Sequence, residues 1–118
     1  MRTQIKPATV MDYMAYYKSA KFQSQCVWDG DERVGMFGVI IDGGQNWAYL
    51  DTCKEIDKHV GLAIIRKMRD MLRTAQEVVF VTCDYKTYAT APRLLKAVGF
   101  VPTGETLNDH EVWIWTPA

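Results

Sequence analysis

Apolar and polar positions recur along the chain with two different periods. Over 61–75, apolar residues recur at three- and four-residue steps and basic residues fill the positions between them, which predicts an amphipathic helix. A shorter helix is predicted over 89–98, where Gly99 supplies the left-handed residue that ends it. A third helix is predicted from a side-chain cap at Thr9 to about Gln25.

Runs of valine, isoleucine and aromatic residues predict the strands. Two turn signals, Asp29-Gly30 and Asp42-Gly43-Gly44, divide residues 26–52 into the three strands of an antiparallel meander. Residues 78–83 are too few for a helix and are rich in valine, so we expect a central strand that is buried on both faces. The other strands are predicted at 3–8, 100–106 and 110–116.

The order of these elements, β-α-β-β-β-α-β-α-β-β, combines a hairpin-connected half with a half in which helices separate strands. Helical crossovers imply parallel pairing, so the order predicts an α+β fold whose central mixed sheet is flanked by helices. The chain has 118 residues, of which 48% are hydrophobic, enough for one core. We therefore expect a single domain over 1–118.

Charge and cysteine content narrow the classes of partner. Fourteen basic and fourteen acidic residues cancel, which disfavours a protein that coats nucleic acid or an anionic membrane. Three cysteines without CxxC spacing support neither a disulfide framework nor a zinc site, so we expect a reducing cytoplasm and no metal. No segment has the pattern of a signal peptide or the roughly 20 apolar residues that span a bilayer.

The junction between the meander and the long helix has the features of an anion site. The loop over 55–59 and the first helical turn would present unpaired N–H groups and the positive end of the helix dipole to one point. Gly61 would let a phosphate approach the backbone closely. A glycine at the start of a helix also occurs without any ligand, so both interpretations stay open.

Three segments match motifs of a known family in the order that the family has them. They are IKPATVMD at the amino end, KHVGLA at 58–63 and APRLLKAVGF at 91–100, which ends in Gly99-Phe100. Together with the element order, they resemble the GNAT superfamily of acetyl-coenzyme A-dependent N-acyltransferases. In KHVGLA, Lys58 stands where the family has Gln or Arg, while Gly61 and Ala63 match its pyrophosphate loop. One helix that the family usually has before the meander is missing.

The resemblance implies acetyl-coenzyme A as co-substrate and direct transfer of the acetyl group to an amine, whose identity stays open. It also implies that the strand before the loop holds the pantetheine arm and the acyl carbonyl through its main chain. Arg93, near the start of the 89–98 helix, is a further candidate for the coenzyme phosphates. The candidate cofactor-binding residues are Thr52, Cys53, Lys58, His59, Val60, Gly61, Leu62, Ala63 and Arg93.

Acyl transfer also needs a base for the ammonium and an acid for the leaving thiolate. Asp51 and Glu55, around the end of the third meander strand, are the candidate bases, while Asp57, His59 and His110 are weaker ones. Each of these residues is equally compatible with ordinary solvated charge. The family often places its acid, a tyrosine, four residues before the helix-ending glycine. That position holds Leu95 here, so we take Tyr88 as the candidate acid and Tyr85 as its alternative.

The leucine in the tyrosine position keeps a second function open. The segment RLLKAVGF also resembles small GNAT-like proteins of bacteriophages, including internal virion proteins, which implies a binding or structural protein that has lost the chemistry. A role in nucleic-acid binding finds no support in net charge or aromatic spacing. The four tryptophans belong either to the core or to an interface, and an exposed aromatic patch would indicate a homodimer.

Overall fold

A computed structural model describes residues 3–7, 21–52, 57–84 and 89–117. In these ranges seven strands form one sheet in the order β1-β2-β3-β4-β5-β7-β6, accompanied by two helices. Only β4 and β5 pair in parallel among the described strands, so the predicted mixed sheet of an α+β fold is confirmed. The elements are β1 Thr3–Pro7, β2 Gln25–Asp29, β3 Glu32–Asp42, β4 Gln45–Thr52, α1 Lys58–Ala75, β5 Val79–Cys83, α2 Ala91–Val98, β6 Val101–Leu107 and β7 His110–Trp115.

The antiparallel half of the sheet follows the predicted turns. β2, β3 and β4 pair in sequence, and the glycines of both turns have the positive φ that tight hairpins require: Gly30 at 63°, Gly43 at 60° and Gly44 at 78°. β1 adds antiparallel to β2 at the edge of the sheet. The meander prediction is therefore confirmed.

Both helices pack on the same face of the sheet, which we call the helix face. Register places Phe37 opposite Leu50 and Val79 opposite Trp115, so these residues line one face. They form one core cluster with the buried side of α1 and with α2. On α1 that side consists of Val60, Ile64, Met68 and Leu72, at the predicted helical spacing. In the described ranges, neither helix is long and apolar enough to cross a bilayer.

The opposite side of the sheet, which we call the far face, is less completely buried. Trp47, Phe80 and Ile114 lie opposite one another on adjacent strands, and all three are half-buried. The rings of Trp47 and Phe80 are in contact, with centroids 5.4 Å apart. The prediction that 78–83 is buried on both faces is therefore wrong, because Thr82 on the far face is exposed while Val79, Val81 and Cys83 are buried.

One predicted boundary, the end of the first helix, also changes. Residues 8–20 of the predicted first helix lie outside the described residues. Its predicted end at Gln25 is wrong, because Phe22 to Ser24 are not helical and Gln25 belongs to β2, where it pairs with Phe37. Cross-strand hydrogen bonding of the backbone outweighs local helical pattern at this point.

The outer strand β6 is protected against pairing with another chain. All seven of its residues are exposed, and its pairing with β7 shifts register between Pro102 and Thr106. Gly104 lies within that irregularity at a φ of 85°. A proline and a bulge on an edge strand interrupt the row of N–H and C=O groups that an incoming strand would need.

Candidate functional site

The sheet splits between its two parallel strands. β4 and β5 pair only where Asn46 meets Val79 and Trp47 meets Phe80. Beyond those positions both strands continue, β4 as far as Thr52 and β5 as far as Cys83, without pairing with each other. The strands therefore diverge toward their carboxyl ends, and no other strand in the described ranges pairs with either of them along the gap. A wedge of this kind can admit an extended ligand arm that takes up strand-like hydrogen bonds.

The floor of the split is apolar. A cavity of ≈ 50 Å³ lies where β4 and β5 separate beneath the two helices. Both strands and both helices contribute to its lining, which includes Ala48, Leu50, Ile64, Val81, Leu94 and Leu95. Apolar walls with backbone groups at the rim suit a ligand arm made of methylene and amide groups.

Helix α1 begins at Lys58, three residues before the predicted start at Gly61. Asp57 is its N-cap: the carboxylate Oδ1 accepts a hydrogen bond from the Val60 amide at 2.9 Å. The Gly61 amide donates to the Asp57 carbonyl at 2.9 Å. The prediction of a loop up to Gly61 is therefore wrong, because an aspartate at the cap satisfies the orphan amide and lets the helix start earlier.

This early start reduces the number of donors that an anion can use. Val60 and Gly61 are engaged within the protein, while within the described residues no protein acceptor meets the amides of Lys58 and His59. The side chains of both residues are exposed. A Cβ added at Gly61 would meet no atom within 4 Å, so the helix surface there faces open space. Among the described residues, the site thus has two amides without a protein acceptor, a lysine and an uncrowded backbone.

Replacing the capping aspartate tests how α1 is held. Asp57→Ala removes the acceptor of the Val60 amide, and we expect the free energy of unfolding to fall by about 1 kcal/mol. Asp57→Asn keeps an acceptor at the same position and should lose only a few tenths of that amount, because asparagine caps helices about as well. Urea denaturation of both variants measures the difference. Equal losses would show that the cap contributes through its charge rather than its hydrogen bond.

Of the three predicted catalytic residues, only Asp51 lies within the described residues. Asp51 is exposed near the end of β4, and register with Met36 places it on the far face. Glu55 and Tyr88 lie outside the described residues. Leu95, at the position of the family's tyrosine, is buried in the core and lines the cavity. An alkyl side chain there has no proton for a leaving group.

The described ones among the predicted cofactor residues lie at the end of β4, at the start of α1 and in the first turn of α2. Thr52 is half-buried at the end of β4, and the residues from Lys58 to Ala63 form the start of α1. Leu62 is 49% exposed, whereas Val60 faces the core. Arg93 is exposed in the first turn of α2. Cys53 lies outside the described residues.

A histidine and a carboxylate that the sequence analysis did not pair lie close together at the end of β5. His110 Nδ1 lies 3.8 Å from Asp84 Oδ1, and both side chains are partly exposed, at 40% and 30%. The two residues meet because β5 and β7 are antiparallel neighbours whose last pair is Cys83 with Glu111. The signal that could have found them is the hairpin turn at Asn108-Asp109, which fixes the register of β7.

Cys83, beside this pair, is not a nucleophile. It is fully buried and forms no disulfide. Burial, together with the neighbouring charges of Glu111 and Asp84, raises the pKa of its thiol. A protonated, enclosed thiol behaves as a small apolar side chain. Within the described residues, no three His, Cys, Asp or Glu side chains are grouped so as to hold a metal ion.

A wider surface depression of ≈ 520 Å³ lies on the other side of α2, toward β6 and β7. Lys96, Glu111 and Trp113 contribute to it, and among the described residues the buried indole Nε1 of Trp113 has no hydrogen-bond partner. The residues of α2 in this depression, Pro92 and Lys96, differ from those that line the split. It is therefore separate from the wedge between β4 and β5.

Solved structures superpose on this chain over nearly its whole length. An N-acetyltransferase from Staphylococcus aureus superposes with a TM-score of 0.67 at 10% identity, over 98% of this chain and 98% of that one. The chain has the GNAT fold. An acetyltransferase of the GNAT family from Bacillus cereus matches at a TM-score of 0.62 and 8% identity, over 100% and 99% of the two chains. No protein-family model matches the sequence, and no curated protein matches it.

One GNAT-fold structure was solved with a ligand. The Bacillus subtilis acetyltransferase in complex with CoA matches at a TM-score of 0.59 and 8% identity, over 99% of each chain. At such identities a structural match establishes the fold, and the chemistry has to be argued from the site itself.

Proposed function

We propose that this protein is an N-acetyltransferase that transfers an acetyl group from acetyl-coenzyme A to an amine. The observation that carries the proposal is the split between β4 and β5 beside the start of α1, within a GNAT fold. A CoA complex among the structures of this fold supports the choice of coenzyme. The split suits the pantetheine arm, and the helix start suits the diphosphate.

In this proposal the amides of Lys58 and His59 bind the coenzyme diphosphate, assisted by the ammonium of Lys58 and the dipole of α1. The open surface at Gly61 lets the phosphates approach, with Leu62 and Ala63 on the same turn and Val60 anchoring that turn in the core. The exposed Arg93 on α2 offers a second cation to the phosphates. Main-chain groups of Thr52 and Cys53 hold the acyl carbonyl.

The chemistry is a direct transfer in a ternary complex. The amine nitrogen attacks the thioester carbonyl carbon, the C–S bond breaks and coenzyme A leaves as a thiolate. Asp51 or Glu55 is proposed to accept the ammonium proton, directly or through water, and Tyr88 to protonate the thiolate. A thiolate is a good leaving group, so Leu95 in place of the family's tyrosine is compatible with turnover.

A ligand titration tests the coenzyme site directly. We expect acetyl-coenzyme A to stabilise the protein by about 2.7 kcal/mol at a concentration one hundred times its dissociation constant. A thermal shift measures this, with coenzyme A as a second ligand and N-acetylcysteamine, which lacks the nucleotide, as the control. The absence of any shift at millimolar acetyl-coenzyme A would contradict the proposal.

A second candidate function is a GNAT-fold protein that binds a ligand or partner without acyl transfer. It is favoured by the burial of Leu95, which leaves the usual acid position apolar, and by the occupation of the Val60 amide by Asp57. Release of free coenzyme A thiol in the presence of amines separates the two functions. Binding with no thiol release would support the second.

A further inference from the structure

We propose that His110 is the general base of the transfer, that Asp84 positions its imidazole, and that the acceptor is a cationic amine that enters from the far face. This inference rests on the proposed function, assigns the base to His110 in place of Asp51 or Glu55, and adds the chemical class of the acceptor. It starts from a contact between the His110 imidazole and the Asp84 carboxylate, which the fold brings together beside the split.

The register of β5 and β7 places the pair on the far face. Thr82 lies opposite Val112, and His110 is two residues before Val112 on the same strand, so the two share a face. Asp84 directly follows β5 and its carboxylate Oδ1 lies 3.8 Å from His110 Nδ1. The far face is opposite the side on which α1 and α2 pack.

The register of β4 and β5 places a third group at the same level. Trp47 is the partner of Phe80, so continuing both parallel strands brings Asp51 level with Asp84 across the split. Asp51 lies on the far face, because it is separated from Trp47 by an even number of positions. Two carboxylates therefore flank the end of the gap on the face away from the helices.

This arrangement separates the two substrates. The start of α1, with its free amides, and the apolar floor of the split belong to the helix face, so the coenzyme occupies that side. The acceptor then has to reach the thioester from the far face, between Asp51 and Asp84. A protonated amine is drawn to a pair of carboxylates, whereas a carboxylate-bearing acceptor is repelled.

At 3.8 Å from His110 Nδ1, the Asp84 carboxylate is beyond direct hydrogen-bonding distance and acts on the imidazole through its charge. Asp84 faces Nδ1, which leaves Nε2 as the nitrogen that accepts a proton from the ammonium. The amine lone pair then forms the C–N bond, the C–S bond breaks and the thiolate leaves. The charged groups around the imidazole are Asp84 at the end of β5, Asp109 in the turn and Glu111 on β7, while its partner on β6 is the apolar Leu107.

Three variants test the assignment with spermidine, tryptamine and glycylglycine as acceptors. We expect His110→Gln to lower kcat by about 100-fold and to abolish the fall of kcat/KM at acid pH, with acetyl-coenzyme A affinity unchanged within about twofold. Asp84→Asn should shift the acid limb of the pH profile of kcat/KM. It should lower kcat by less than His110→Gln does. Asp109→Asn changes an exposed neighbour in the turn and should leave kcat and the pH profile of kcat/KM unchanged.

Each outcome has a distinct meaning. A wild-type kcat and pH profile in His110→Gln would overturn the base assignment and leave the proposed function intact. A wild type that binds acetyl-coenzyme A but acetylates glycylglycine better than spermidine would overturn the cationic acceptor. A wild type that does not bind acetyl-coenzyme A would overturn the proposed function and this inference with it.

Discussion

Gly61→Glu should weaken the binding of acetyl-coenzyme A by about 100-fold, which corresponds to roughly 2.7 kcal/mol. The position lies in the first turns of α1, close to the amides of Lys58 and His59, which meet no acceptor among the described residues. A side chain at Gly61 extends into open space. A carboxylate at this point would stand where the diphosphate is proposed to bind and would repel it. Isothermal titration calorimetry of the variant and the wild type measures the change.

Gly61→Ala is the matched control for bulk without charge. A Cβ there meets no atom within 4 Å, and alanine is the better helix former, so we expect the free energy of unfolding to rise by about 0.5–1 kcal/mol. Its loss of affinity should be smaller than that of Gly61→Glu. Full affinity in Gly61→Glu, with the fold retained, would show that the diphosphate binds elsewhere.

Gly38→Ala should lower the free energy of unfolding by about 3 kcal/mol. Gly38 is buried in β3, and a Cβ there would come within 2.7 Å of Ser24 Cα and 2.5 Å of Ser24 Oγ. Ser24 is itself 1% exposed, and its hydroxyl accepts a hydrogen bond from Tyr49 at 2.5 Å, so it has little room to move. The clash involves backbone and cannot be relieved by a change of rotamer.

Urea denaturation measures this effect, with Gly61→Ala as the counterpart in which the same added methyl meets open space. The two variants should change stability in opposite directions. A Gly38→Ala protein as stable as the wild type would mean that the segment at Ser24 can shift away from β3 without cost.

The long helix shows how far a periodic pattern can be followed. Its buried side and its end near Ala75 were predicted because apolar spacing reports which residues face a core. Its start was misplaced because a glycine such as Gly61 is typical of a helix boundary. Asp57 was taken for a charged residue of the preceding loop. A residue caps a helix only if the preceding segment places its side chain next to the first helical amides. Apolar periodicity carries no information on that position.

The sheet shows the same division. Two hairpin turns were readable from Asp-Gly signals, and a helix between strands implied parallel pairing. Burial on both faces of β5 was mispredicted because a short run of valines has no polar marker for the face that stays half-covered. The residue types do not indicate where the pairing of β4 with β5 ends, because strands pair through backbone groups that nearly all residues share.

The functional residues divide along similar lines. Lys58, Gly61 and Ala63 were proposed from a motif, because they lie within six residues of the chain and belong to one helix start. Asp84 and His110 were not paired in advance, because only the antiparallel register of β5 and β7 brings them within 3.8 Å.

By itself, the sequence determined the α+β class, the meander, the amphipathic side of α1 and the resemblance to the GNAT family, because each of these depends on residues close together in the chain. The tertiary structure alone decided that β4 and β5 separate after Trp47 and Phe80, that Asp57 caps α1, and that Asp84 and His110 lie close together at the end of β5. These features arise from register and strand divergence, which are set by packing between distant segments rather than by local preference.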